Sequence, residues 1–227
     1  MNYIIIKEVN RIIGITEVEK MKRKIVALLM SGVMVISLCS CSMLSPSKFG
    51  EKKVAKFFEE ELDGDEVDGE DLIEALENHD AKEFKDGEWA SLDKKQTKKL
   101  YSAGDMETMF SSFKSVESSV AYIYSNPGDT YEAVWVIDLT FSNTEDIDDL
   151  FEDTLDQWDE MKKYYPDFEN DEDDEYIMAY FSSYASKYYI GLYRSGRNVL
   201  LTLVSNDDDT LDDVCEYFDI ESPTSLE

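Results

Sequence analysis

The sequence predicts an α+β protein. An antiparallel sheet of about five strands, read as two β-β-α units, follows an N-terminal helical segment. Three observations predict it. Up to about residue 116, apolar residues recur at helical spacing. From Ser118 the period drops to two. The strands then come as hairpins, each leading into an acid-rich helix.

The first helix is predicted over Ser47–Leu62, with Ser47 as N-cap and Val54, Phe57, Phe58 and Leu62 on one stripe. The loop 63–71 leads to a second helix, Asp71–Asn78, and residues 80–91 read as irregular. "SLDKKQTKKLYSA" and "DMETMFSSFKS" read as two short helices with Gly104 as the stop between them. The buried face of the second would carry Met106, Met109, Phe110 and Phe113. Ser119–Ser125 is a strand, and Asn126-Pro127-Gly128-Asp129 turns the chain. In residues 131–141, Ala133, Trp135, Ile137, Leu139 and Phe141 face one way, and Val134, Val136, Asp138 and Thr140 the other. Asn143-Thr144 opens a helix to about Tyr165, with acids in its first turn, where the helix dipole favours them. After an acidic loop, 167–175, come strands 176–183, 187–194 and 198–205, then a last helix, Asp208–Phe218. "FSNTEDIDDLFED" (141–153) echoes "VSNDDDTLDDVCEY" (204–217), which suggests two β-β-α units in one sheet.

Ahead of all this, Met21-Lys22-Arg23-Lys24 is followed by an uncharged run, Ile25–Ile36, and then by small residues and Cys41. A charged start, a short apolar stretch and a small-residue end make a secretory signal. The apolar run is about a dozen residues, against about 20 needed to span a bilayer. Leu38-Cys39-Ser40-Cys41 resembles the lipobox of bacterial lipoproteins. That resemblance implies a diacylglyceryl thioether on Cys41, cleavage before it, and a place at the extracytoplasmic face of the cell membrane. Residues 1–20 fit poorly ahead of such a signal and read as an over-extended start. The chain thus divides into 1–20, a signal peptide 21–40, a tether 41–47, a helical segment 48–116 and a sheet domain 117–227. The C-terminal half, through Tyr189, Arg194, Asn198, Val199 and the helix from Asp208, resembles uncharacterised small lipoproteins of Gram-positive bacteria, which have no assigned activity. The chain departs from them in the inserted helices around 92–114.

Charge narrows the partners. With 22 Lys/Arg against 51 Asp/Glu, the net charge is −29. Nucleic acid is excluded, because phosphate binding needs Lys/Arg neutralisation. Cationic peptides, divalent ions or a basic protein face would be attracted. No cofactor motif is present: there is no CxxC, no glycine-rich phosphate loop and one histidine, His79. His79 reads as a polar residue at a helix end, and Cys215 as a small core residue beside Leu211 and Val214. In the loop 63–71, Val67 and Gly69 spoil the spacing of a calcium loop. The loop 167–175 could hold calcium weakly. Lys94, Lys95, Lys98 and Lys99 share one helical face and pair with acids or lean on anionic lipid.

The strand tyrosines are the best candidate surface. Tyr122, Tyr124, Tyr180, Tyr189 and Tyr193 would line a groove for an envelope protein, peptide or glycan, since tyrosine offers rigid contact area with a polar tip. The expected role is a membrane-anchored, non-catalytic binding module. The alternatives are a carboxylate-dependent hydrolase of the cell envelope, or a structural subunit of an envelope complex.

Overall fold

The computed structural model describes residues 47–78, 84–111, 114–127, 131–183 and 186–227. The signal segment, Cys41, His79 and Phe113 lie outside the described residues.

The elements in chain order are α1 (Glu51–Glu60), β1 (Asp65–Glu66), α2 (Gly69–Glu77), β2 (Glu88–Asp93), α3 (Lys94–Ala103), β3 (Val116–Pro127) and β4 (Tyr131–Phe141). They continue with α4 (Glu145–Met161), β5 (Glu169–Glu172), β6 (Tyr176–Ser183), β7 (Ser186–Ser195), β8 (Asn198–Ser205) and α5 (Asp208–Phe218). The α+β class is as expected. The sheet has eight strands, in the order β1-β2-β3-β4-β8-β7-β6-β5. It is mixed, because β1 pairs parallel to β2 while the other pairs are antiparallel.

Strands β4 and β8 meet at the centre, with Ile137 opposite Leu201 and Val136 opposite Thr202. Alternation sends their side chains into two cores. On one face, Ile137, Leu139, Val199 and Leu201 pack with Leu72 and Leu76 of α2, Leu100 of α3, and Leu150 and Trp158 of α4. On the other, Val134, Val136, Leu200 and Val204 pack with Val54, Phe57 and Phe58 of α1 and Leu211, Val214 and Phe218 of α5. Helices on both faces explain why β8, "NVLLTLVS", is apolar almost throughout rather than alternating.

Several local expectations are corrected. Gly50, not Ser47, precedes the first helix, and its φ of 139° suits only glycine. Strand β2 begins in the stretch read as irregular and takes the first three residues of the helix expected from Ser91, pairing along its whole length with β3. Ala90 and Ser91 carry little strand propensity, so tertiary pairing decides there. The second short helix shrinks to a 3₁₀ turn, Met106–Thr108. Its downstream carbonyls are taken by side chains: Trp158 Nε1 donates to Met109 O at 2.8 Å, and Tyr101 Oη to Phe110 O at 2.7 Å. The acidic loop contains edge strand β5, held by β6. β3–β4–α4 and β7–β8–α5 do share adjacent strands, but their helices occupy opposite faces.

Gly191 of β7 is a packing requirement. A Cβ there would lie 2.5 Å from the Tyr193 ring, which covers it. Gly191→Ala is expected to lower stability by about 1–3 kcal/mol. Urea unfolding checks this; an unchanged midpoint would show that the ring can move aside.

Candidate functional site

The five candidate tyrosines share one face, but that face is covered. Tyr122, Tyr189 and Tyr193 are 5%, 0% and 2% exposed. Tyr124 and Tyr180 are half-buried against the same core. Tyr122 packs on Phe58 with ring centres 5.3 Å apart, and Tyr180 on Tyr189 at the same distance. An open tyrosine groove is therefore not what the fold presents: α1 and α5 occupy the position a ligand would take.

These hydroxyls serve the fold. Tyr189 Oη donates to Glu227 Oε2 at 2.7 Å and Asp208 Oδ2 at 3.1 Å. Lys187 Nζ joins the knot, 2.5 Å from Glu227 Oε1. Burial pushes the Tyr122 hydroxyl up to about 12 and raises Tyr189 and Tyr193 as well. All three stay protonated and do no base chemistry at neutral pH. The Tyr193 hydroxyl lies near Cys215 and Thr202 without a well-formed hydrogen bond. Cys215 is 4% exposed, and burial pushes its thiol up to about 12. A protonated, sealed thiol is a poor nucleophile.

Asp138 sits in the seam of the sheet, between Val120 of β3 and Leu200 of β8, and is 1% exposed. Asn198 Nδ2 donates to both its oxygens at 3.2 Å and to Thr140 Oγ1 at 3.0 Å. Burial drives its carboxyl up to about 7, with Glu51 adding to the rise and the Asn198 contact opposing it. It can carry a proton near neutrality, but within a closed core its effect falls on stability.

The open feature is a groove of about 560 Å³ between α4, the β5–β6 turn and the end of β7. Phe151, Leu155 and Ile177 form its apolar floor. Asp148, Glu152, Glu172, Asp173 and Asp174 form the rim, with Arg194 at one end. Arg194 Nη1 meets Asp148 Oδ1 at 2.6 Å, and its backbone N–H donates to Glu175 O at 2.8 Å. On the other side of Arg194 is a smaller cleft of about 260 Å³. Lys48 fills part of that cleft, donating to Asp219 O at 3.0 Å. Sequence reading did not single out the groove. Phe151 and Leu155 look like ordinary members of a helix stripe, and only the position of edge strand β5 leaves them bordering solvent.

Strand alternation splits the acids of β5. Asp171 accepts from Tyr176 Oη at 3.0 Å on the tyrosine face, while Glu172 lines the groove on the other. Among the described residues, no group of three or more His, Cys, Asp or Glu is arranged to hold a metal ion. Of the four lysines on α3, Lys99 pairs with Glu70 at 2.7 Å, and Lys94, Lys95 and Lys98 are exposed.

Two measurements probe these groups. The folded pKa of Asp138 lies above its unfolded value, so its stabilising contribution is complete below about pH 4 and is lost as pH rises through about 7. Relative to Asp138→Asn, the parent chain should lose up to about 1.4 kcal/mol per pH unit between roughly pH 4.5 and 6.5. Parallel stability curves for the two proteins across that range would refute the assignment. Tyr193→Phe removes a buried hydroxyl with no good partner and should raise stability by about 1 kcal/mol; a destabilised variant in urea titration would mean that the hydroxyl is satisfied.

Comparisons with family models, with curated proteins and with solved structures gave no match, so the functional reading rests on this chain's own residues and geometry.

Proposed function

We propose that this chain is an extracytoplasmic lipoprotein, anchored through Cys41, whose body is a non-catalytic interaction module. The order of basic cluster, apolar run and Leu38-Cys39-Ser40-Cys41 supports the anchor. No described helix is long and apolar enough to cross a membrane. Two acyl chains hold a protein to a bilayer far more firmly than one, because each buried methylene adds about 0.8 kcal/mol.

The groove beside Arg194 carries the reading of the body. Its volume lies within the range typical of ligand sites, about 300–1,000 Å³. An apolar floor with a charged rim offers contact area and orientation together. The buried tyrosines, the protonated Cys215 and the sealed Asp138 support a structural role for the groups that sequence might have offered to chemistry.

The anchor is tested by mass spectrometry of the protein purified from the producing cell and by detergent-phase partitioning. The expected species begins at a lipidated Cys41 and enters the detergent phase. Cys41→Ser should keep its signal segment and lose the lipid mass. A parent protein with residues 21–40 intact and no lipid would overturn the proposal.

A further inference from the structure

The groove's ligand class can be read from its chemistry, and this inference rests on the binding-module reading but not on the lipid anchor. We infer that the groove and the adjoining edge strand β5 receive an extended segment in which every second residue, the one facing the groove, is Lys or Arg.

Three observations converge on that occupant. The first is the floor: Leu155 is partly exposed beside the buried Phe151 and Ile177, inside a volume of about 560 Å³. The aliphatic stems of Lys and Arg lie well on such a surface. The second is charge complementarity. Glu152, Glu172, Asp173 and Asp174 crowd the rim, and the one cation there, Arg194, is engaged by Asp148. A cation brought to this rim meets carboxylates of opposite sign, so a basic segment is attracted there. The third is the edge. β5 ends the sheet order, and among the described residues no strand pairs with its outer side. An unpaired edge takes an added strand through main-chain hydrogen bonds, with alternate side chains setting specificity. The acids of "ENDE" (169–172) turn this edge away from a second copy of the same polyanion and leave it open to a basic strand.

The test uses the purified full-length chain and three labelled octapeptides: alternating Lys-Leu, alternating Lys-Ser and alternating Glu-Leu. Affinities are read by fluorescence anisotropy near physiological salt, with hydrogen exchange of the β5 amides as a second readout. Binding of either lysine peptide should be about tenfold tighter than that of Glu-Leu, and should protect amides in 169–172. The triple variant Glu172→Gln, Asp173→Asn, Asp174→Asn should weaken it about tenfold. A control with the same loss of charge at exposed acids around the end of α1 and on β1, Glu59→Gln, Glu61→Gln, Glu66→Gln, should change it less than about twofold. Equal weakening by both triples would mean generic attraction to a polyanion. That outcome overturns the groove and leaves the module reading standing. Binding of Glu-Leu alone would overturn the cationic ligand class while keeping a module. No binding by any of the three would count against both.

Discussion

The pairing of β4 with β8 is the constraint on which the remaining structure depends. Two hairpins distant in sequence join there, and the seam is buried on both sides. The helices of both layers pack into cores that this pair completes. The pair closes a long loop containing α4 and three further strands, so its entropic cost is met by the two cores it makes possible. Polar groups in the seam bear on this directly. Asp138 and Thr202 both face the second core, and an unionised or well-paired state there favours the fold. That makes the central pairing sensitive to proton uptake at one carboxyl, while the many exposed acids act mainly through mutual repulsion.

Charge is distributed to suit this plan. Among the described residues, ion pairs lie at the surface, where each contributes little. The acids instead protect the molecule from itself. They line the exposed faces of α4 and α5 and the outer strand β5. The sheet would otherwise end in an open edge, and an acidic one discourages pairing between copies. The same acids set the sign of whatever can pair.

Legibility followed burial pattern. β4, β8 and α5 have the bounds that alternation and caps predict, because their apolar residues are strong formers in an unambiguous period. β2 was missed because its Ala and Ser carry weak signals and its partner β3 supplies the pairing. β5 was missed because an edge strand made of Glu, Asn and Asp is written like a loop. The tyrosine face shows the opposite failure. Alternation placed those residues correctly on one side, but nothing local tells that α1 and α5 close over that side. The groove was illegible for a related reason. Phe151 and Ile177 are core residues at its margin. Their role arises from where the sheet stops.

Arg194 ties these features together. It stands near the end of β7, one residue before Ser195, whose carbonyl and hydroxyl accept from Ser47 Oγ at 3.1 Å and Lys48 N at 2.8 Å. The chain therefore enters the fold at the same strand end that frames the groove. Cys41 and Ser47 are six positions apart in the sequence, a span of only about 20 Å even when fully extended. With the proposed anchor in place, the groove would be held close to the bilayer and not presented at the distal end of the body. A ligand would then have to approach along the membrane surface. Basic segments flanking membrane helices occupy that zone, and anionic lipid draws them there. An acidic groove at that height would compete with the lipid for the same cations, so its apolar floor, and not charge alone, would have to supply the preference.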